Sequence, residues 1–165
     1  DMAMKRFFFT FMTLAMAVGH VCAQDFSDLK GKLLKDSAEY AELKPRVLEC
    51  CEFLLNSSAK NDENNLIASD FLVEWLNNNP FYTFQTNKKF YKVISGDAAL
   101  TARYFAGLCQ TAIENNFDIK EEDLQYQAID KCVRYSMYKK YKVDVSGKLQ
   151  KYIDAKKDGK LKEML

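Results

Sequence analysis

A stretch of helix-spaced apolar residues that runs straight into three asparagines and a proline leaves a chain few ways to fold. From Asn65 to Gln85 the sequence sets Ile67, Phe71 and Trp75 one turn apart, with Leu72 and Leu76 beside them. That is the period of a helix buried along one stripe. Asn77, Asn78, Asn79 and Pro80 then stop it, since proline lacks the amide a continuing helix needs. Phe81 and Phe84 follow at once. The stretch reads as a buried helix, a sharp stop and an aromatic plug. Trp75, Pro80, Phe81 and Phe84 are read as a clamp between core helices or as the wall of an apolar-ligand groove, and the clamp is the simpler reading.

Other segments repeat the helical period. Asp25 to Glu42 is expected to form a first amphipathic helix, weakened by about 1 kcal/mol through Gly31. Pro45 suits the first turn of a second helix, to Asn56. Asp62 is placed to cap the Trp75 helix, and a short helix over Asn87 to Ile94 should close at Ser95-Gly96. From Asp97 to Asn116 a long helix is apolar on several sides, as a central helix must be. Glu121, Glu122 and Asp123 open a sixth helix on the end the helix dipole favours for acids. Lys148 to Lys156 is a last, polar helix, and Leu161, Met164 and Leu165 could dock the terminus. Phe81 to Gln85 is the one strand-like piece. The expected fold is all-α, a single-domain orthogonal bundle of about six helices, with helices over 98–116 and 125–141 packed on the Trp75 helix.

Residues 1–23 read as a cleaved signal peptide. Lys5 and Arg6 precede an apolar run from Phe7 to Val18, and Val21 and Ala23 flank Cys22 as the compact residues of a cleavage site. A lipoprotein through Cys22 is disfavoured by Val21 and His20 before it. The remaining domain, 24–165, has 22 basic and 22 acidic residues and no second apolar run long enough to span a bilayer. The expected product is exported, periplasmic or extracellular. Its only histidine, His20, would leave with the signal. Histidine-based acid–base catalysis, Ser-His and Cys-His nucleophile pairs and the usual zinc ligands would go with it. No cofactor is expected.

Cys50, Cys51, Cys109 and Cys132 would then face an oxidising compartment, where disulfides form. Adjacent Cys50 and Cys51 cannot readily pair with each other, which leaves two double-bridge patterns, or one bridge and two thiols. Three of the four also lie on apolar stripes, where cysteine acts as a small hydrophobe. Asp70 and Glu74 sit four residues apart on the Trp75 helix, and two carboxylates suit glycoside hydrolysis. Their places between apolar positions suit a solvated face better. Charge is the stronger signal. Residues 24–130 hold 11 basic and 18 acidic side chains, net −7; residues 131–165 hold 11 and 4, net +7. Arg134, Tyr135, Tyr138, Lys139, Lys140, Tyr141 and Lys142 interleave aromatic and basic groups. They form either a surface for an anionic partner or a face laid against the acidic remainder. Export and overall neutrality argue against nucleic acid.

The pattern Ala68-x-x-Phe71-Leu72-x-x-Trp75, then Pro80 and Phe84, then Tyr104-x-Ala106 in a long helix, resembles a family of small exported bacterial proteins of unknown function. The resemblance covers roughly Leu48 to Asn116. It implies an all-α fold and export and brings no catalytic residues. The functional expectation is a non-enzymatic interaction module that binds a protein or an anionic envelope component. A carrier of hydrophobic small ligands is second and a carboxylate hydrolase third.

Overall fold

Ala98–Glu114 is the helix on which the others are built. In the computed structural model, which describes residues 24–59 and 62–165, it is α5 of seven helices. The others are α1 (Ser37–Glu42), α2 (Lys44–Asn56), α3 (Glu63–Leu76), α4 (Lys88–Ile94), α6 (Glu121–Met137) and α7 (Gly147–Lys157). Short 3-10 turns occupy Ser27–Leu29, Lys139–Tyr141 and Leu161–Met164. No strand occurs among the described residues, and Phe81 to Gln85 is irregular. The bundle is all-α. The expected signal segment, with His20 and Cys22, lies outside the described residues.

α5 packs against α2, α3, α4 and α6. Its buried residues divide between two core clusters. Leu100, Tyr104, Leu108 and Ala112 join α4, α6 and α7, whereas Ala106 and Cys109 join α2, α3 and the N-terminal turn. The closest approach is at Gly107, where a Cβ would stand 2.8 Å from the Ala128 carbonyl of α6. A side chain there would hold the two helices apart. α6 therefore packs on α5 and not, as the sequence suggested, on the Trp75 helix.

Capping follows the expected chemistry at most starts. Asp62, Asn87, Asp97 and Ser146 each accept the backbone N–H three residues on, at α3, α4, α5 and α7. Two expectations need correction. Asp25 to Glu42 is not one helix, because Gly31 takes φ +65° and the chain has no regular structure until Asp36 caps α1. The Ser95-Gly96 pair closes α4 without a left-handed residue: Ser95 stays in the right-handed region. The terminus docks as expected: Leu161 is buried against α7, and Met164 and Leu165 pack on the same core cluster.

The stop after Trp75 is held from both sides. Tyr40 of α1 donates its hydroxyl to the Asn77 carbonyl at 2.7 Å, and the Trp75 indole N–H donates to the Tyr40 carbonyl at 3.2 Å. Further on, the Asn87 amide donates to the Tyr104 hydroxyl at 2.9 Å, and Gln125 Nε2 donates to the Gln85 carbonyl at 2.7 Å. The Tyr104 hydroxyl in turn donates to Gln125 Oε1. A connection without regular structure is thus tied to α5 and α6.

Candidate partner surface

Part of the basic end of the chain is paired within the fold and part lines a groove. Lys131 pairs with Glu114, Arg134 and Lys156 both reach Asp130, and Lys162 lies 2.8 Å from Asp123. These cations lie against acidic groups of α5 and α6. Lys139, Lys142 and Lys157 form no ion pair among the described residues. All three line one groove of about 380 Å³ between the end of α6, the 139–141 turn and α7. Its remaining wall includes Met137, Val143, Val145 and Ile153, with Ser136 and Gln150 as polar groups. Cations at the lip and aliphatic side chains within suit an amphiphilic anion.

Local backbone shapes that lip. Lys142 ends the 139–141 turn with φ +52°, a left-handed conformation that a β-carbon makes costly. Strain of this kind persists where the surroundings impose it and often marks a functional edge. Tyr138 is 51% exposed on the same lip. Lys140 turns instead to the Tyr138 and Tyr141 rings, at 5.4 and 4.9 Å.

Two tyrosines expected on this surface are core residues. Tyr135 and Tyr141 are 2% and 8% exposed and stack at 4.3 Å, with planes 8° apart. They face inward because α6 places Tyr135 on the stripe of Cys132 and Ser136, and the turn folds Tyr141 back over it. The surface of seven residues contracts to Tyr138 and the lysines, and it gains Lys157 from α7.

The other candidates separate. Trp75 is fully buried, 5.9 Å from Phe84 and 6.0 Å from Phe117. Phe117 also stacks on Phe81 at 5.2 Å, and Lys44 lies over both rings. Phe84, with Leu76, Phe105 and Leu108, borders an open cleft of about 360 Å³. Pro80 borders another, beside Tyr40 and Glu74. Glu74 accepts the Leu34 amide at 2.9 Å, whereas Asp70 opens on a third cleft with Arg103, so the two carboxylates do not converge.

All four cysteines among the described residues are free, buried thiols. Cys51 and Cys109 lie within hydrogen-bonding reach across α2 and α5, and burial drives the Cys109 thiol well above its ordinary range. Cys132 sits in the other core cluster, its Sγ 3.5 Å from the Leu100 carbonyl. Both double-bridge patterns would need it to reach α2. Among the described residues no group of three or more His, Cys, Asp or Glu side chains could hold a metal ion. No described helix is long and apolar enough to cross a membrane.

Sequence reading passed over Phe117 and Arg103. Phe117 gave no local signal, since it joins the aromatic group only through the chain reversal after α5. Arg103 did give one: it is the only charged residue between Asp97 and Glu114. The chain matches no family model, and no curated protein or solved structure proved similar to it.

Proposed function

We propose that the protein is an exported, non-enzymatic interaction module that uses the groove between α6 and α7 to hold an acidic, partly aliphatic segment of an envelope partner. The observation that carries this reading is the segregation of the lysines. Lys131, Lys156 and Lys162 pair with acids of the fold, whereas Lys139, Lys142 and Lys157, three of the lysines without an ion pair among the described residues, converge on a groove with an aliphatic interior. Three ammonium groups around one concavity raise the local concentration of anions and steer their approach. The aliphatic wall adds area that a purely electrostatic contact lacks.

The test is crosslinking and capture from native envelope extracts with wild type and with Lys139→Glu/Lys142→Glu. The double variant should lose at least about tenfold in capture, as expected from reversing two contacts of a charged interface. Fluorescent poly-glutamate should bind the wild type and be released by salt within a Debye length's reach. An unchanged set of captured proteins would sink the proposal.

The cleft beside Phe84 favours a second reading, a carrier of small apolar ligands, because its size falls within the range of ligand pockets. Trp75 lies against Phe84, so quenching of its fluorescence by an apolar probe separates the two readings.

A further inference from the structure

The chain between the 139–141 turn and α7 leaves its backbone unpaired. Lys142 to Ser146 is free of helix and turn, and Ser146 is extended at φ −65° and ψ 158°. Val143 and Val145 are half-buried and line the lysine groove, whereas Asp144 between them is exposed and stands outside its lining. Sides that alternate residue by residue are the geometry of a strand. The amides and carbonyls of Val143, Asp144 and Val145 form no hydrogen bond among the described residues. An open edge of this kind is a template on which a second strand can pair. Both ends of the segment are anchored. Tyr141 stacks on Tyr135 in the core, Leu149 is buried, and the Leu149 amide donates to the Ser146 hydroxyl at 3.1 Å. An edge held at both ends loses little freedom on binding.

Charge decides what such an edge would pair with. The groove beside it is lined by Lys139, Lys142 and Lys157 and by no carboxylate. Two acids of the flanking helices are already engaged: Asp130 by Arg134 and Lys156, and Asp154 by the Gln150 side-chain amide at 2.9 Å. Between the lysines lie the aliphatic side chains of Val143, Val145 and Ile153. Strand addition draws affinity from backbone hydrogen bonds and specificity from pockets under alternate side chains, and the groove offers both.

We propose that the partner segment held here binds as an extended strand, paired edge to edge with Val143 to Val145. Its aliphatic side chains, at alternate positions, enter the groove beside Val143 and Val145, and its acids meet Lys139, Lys142 and Lys157. The residue facing Asp144 is neutral, because like charges opposed across a strand pair destabilise it. Glu-Val-Thr-Val-Glu has this pattern. Strand pairing rests on the lysine groove being the partner site, and it adds the conformation and residue order of the occupant.

The experiment is an NMR titration of full-length protein with four acetylated, amidated peptides. They are Glu-Val-Thr-Val-Glu, the reordered Val-Val-Thr-Glu-Glu, and two N-methylated forms of the first. One form is methylated at both valines and the other at the threonine and the final glutamate. Only alternate amides of a strand face one edge, so one methylated form should lose at least about tenfold in affinity and the other should keep the parent's. The parent should bind at least about tenfold tighter than the reordered peptide, and it should slow hydrogen exchange at one or more of the Val143, Asp144 and Val145 amides. Strand pairing is overturned, and the groove retained, if all four peptides bind wild type alike and Lys139→Glu/Lys142→Glu releases them all. It is overturned equally if none of the three amides slows its exchange. Peptides that bind the double variant as well as wild type remove the groove itself as a site for acidic segments. Binding to phosphatidylglycerol vesicles with no binding of any peptide assigns the face to a membrane and overturns the proposal.

Discussion

Trp75 meets groups from three parts of the chain: the Tyr40 carbonyl, the Phe84 ring and the Phe117 ring. None of them can move in to fill its space, because Tyr40 is held at Asn77 and Phe117 is stacked on Phe81. Trp75→Ala should therefore cost about 3–5 kcal/mol, read from the shift in urea midpoint, and a loss below about 1 kcal/mol would contradict the clamp. That Trp75 is a core residue with Phe84 beside it was legible from its helical spacing and the stop that follows, and its other partners were not, since Tyr40 lies 35 residues before and Phe117 42 after. Tyr104 supports a second prediction. Burial pushes its phenol up to about 12 from an ordinary value of 10.0. The unfolded chain ionises first, so the stability that this group contributes is full below pH about 10 and is lost as the pH rises through about 12. Denaturation measured at pH about 9 and about 11.5 should show that fall, and Tyr104→Phe should make it shallower. A wild-type profile as flat as the variant's would refute the assignment.

At the level of helices, what the sequence conveyed best was termini and what it conveyed worst was neighbours. A cap is a contact over three residues, so Asp62, Asn87 and Asp97 announce the helices they start. The first expected helix failed because Gly31 does more than weaken a helix: at φ +65° it redirects the chain. The pairing of α6 with α5 rests on Gly107, whose role is visible only when Ala128, 21 residues on, is seen against it. Gly107→Ala places a methyl 2.8 Å from a backbone carbonyl that has no side-chain freedom to yield. The two helices must separate, at a cost of about 1–3 kcal/mol, measurable by thermal or chemical unfolding. An alanine variant as stable as wild type would show that the helices are not packed at this distance. The same logic limits what could be read of the basic surface. Alternation of tyrosine and lysine along 134–142 is visible, but which tyrosines turn inward depends on a 3-10 turn that folds Tyr141 onto Tyr135.

Across the whole molecule, the excess of −7 in residues 24–130 faces an excess of +7 in residues 131–165, and two physical uses of that asymmetry compete. It either holds the last third of the chain onto the rest or recruits a partner. The ion pairs that link the two parts are Lys131 with Glu114, Arg134 and Lys156 with Asp130, and Lys162 with Glu122 and Asp123. Several of these side chains are solvent-exposed, and pairs of that kind contribute about 0–1 kcal/mol each. The attachment itself is carried by buried residues: Tyr135, Tyr141, Leu149, Tyr152, Ile153 and Leu161 all belong to the core cluster of α4, α5 and α6. Burial of apolar surface is insensitive to moderate salt, whereas attraction between a lysine groove and an acidic segment is screened once the Debye length falls from about 10 Å to about 4 Å. Raising sodium chloride from about 0.1 M to about 0.5 M should then leave the melting temperature within about 2 °C while poly-glutamate affinity drops at least tenfold. Lys139→Glu/Lys142→Glu should remove the affinity, and with it the salt dependence, and keep the melting temperature. If salt lowers stability as steeply as it lowers binding, the basic end is an electrostatic strap within the fold, and the groove loses its claim to a partner.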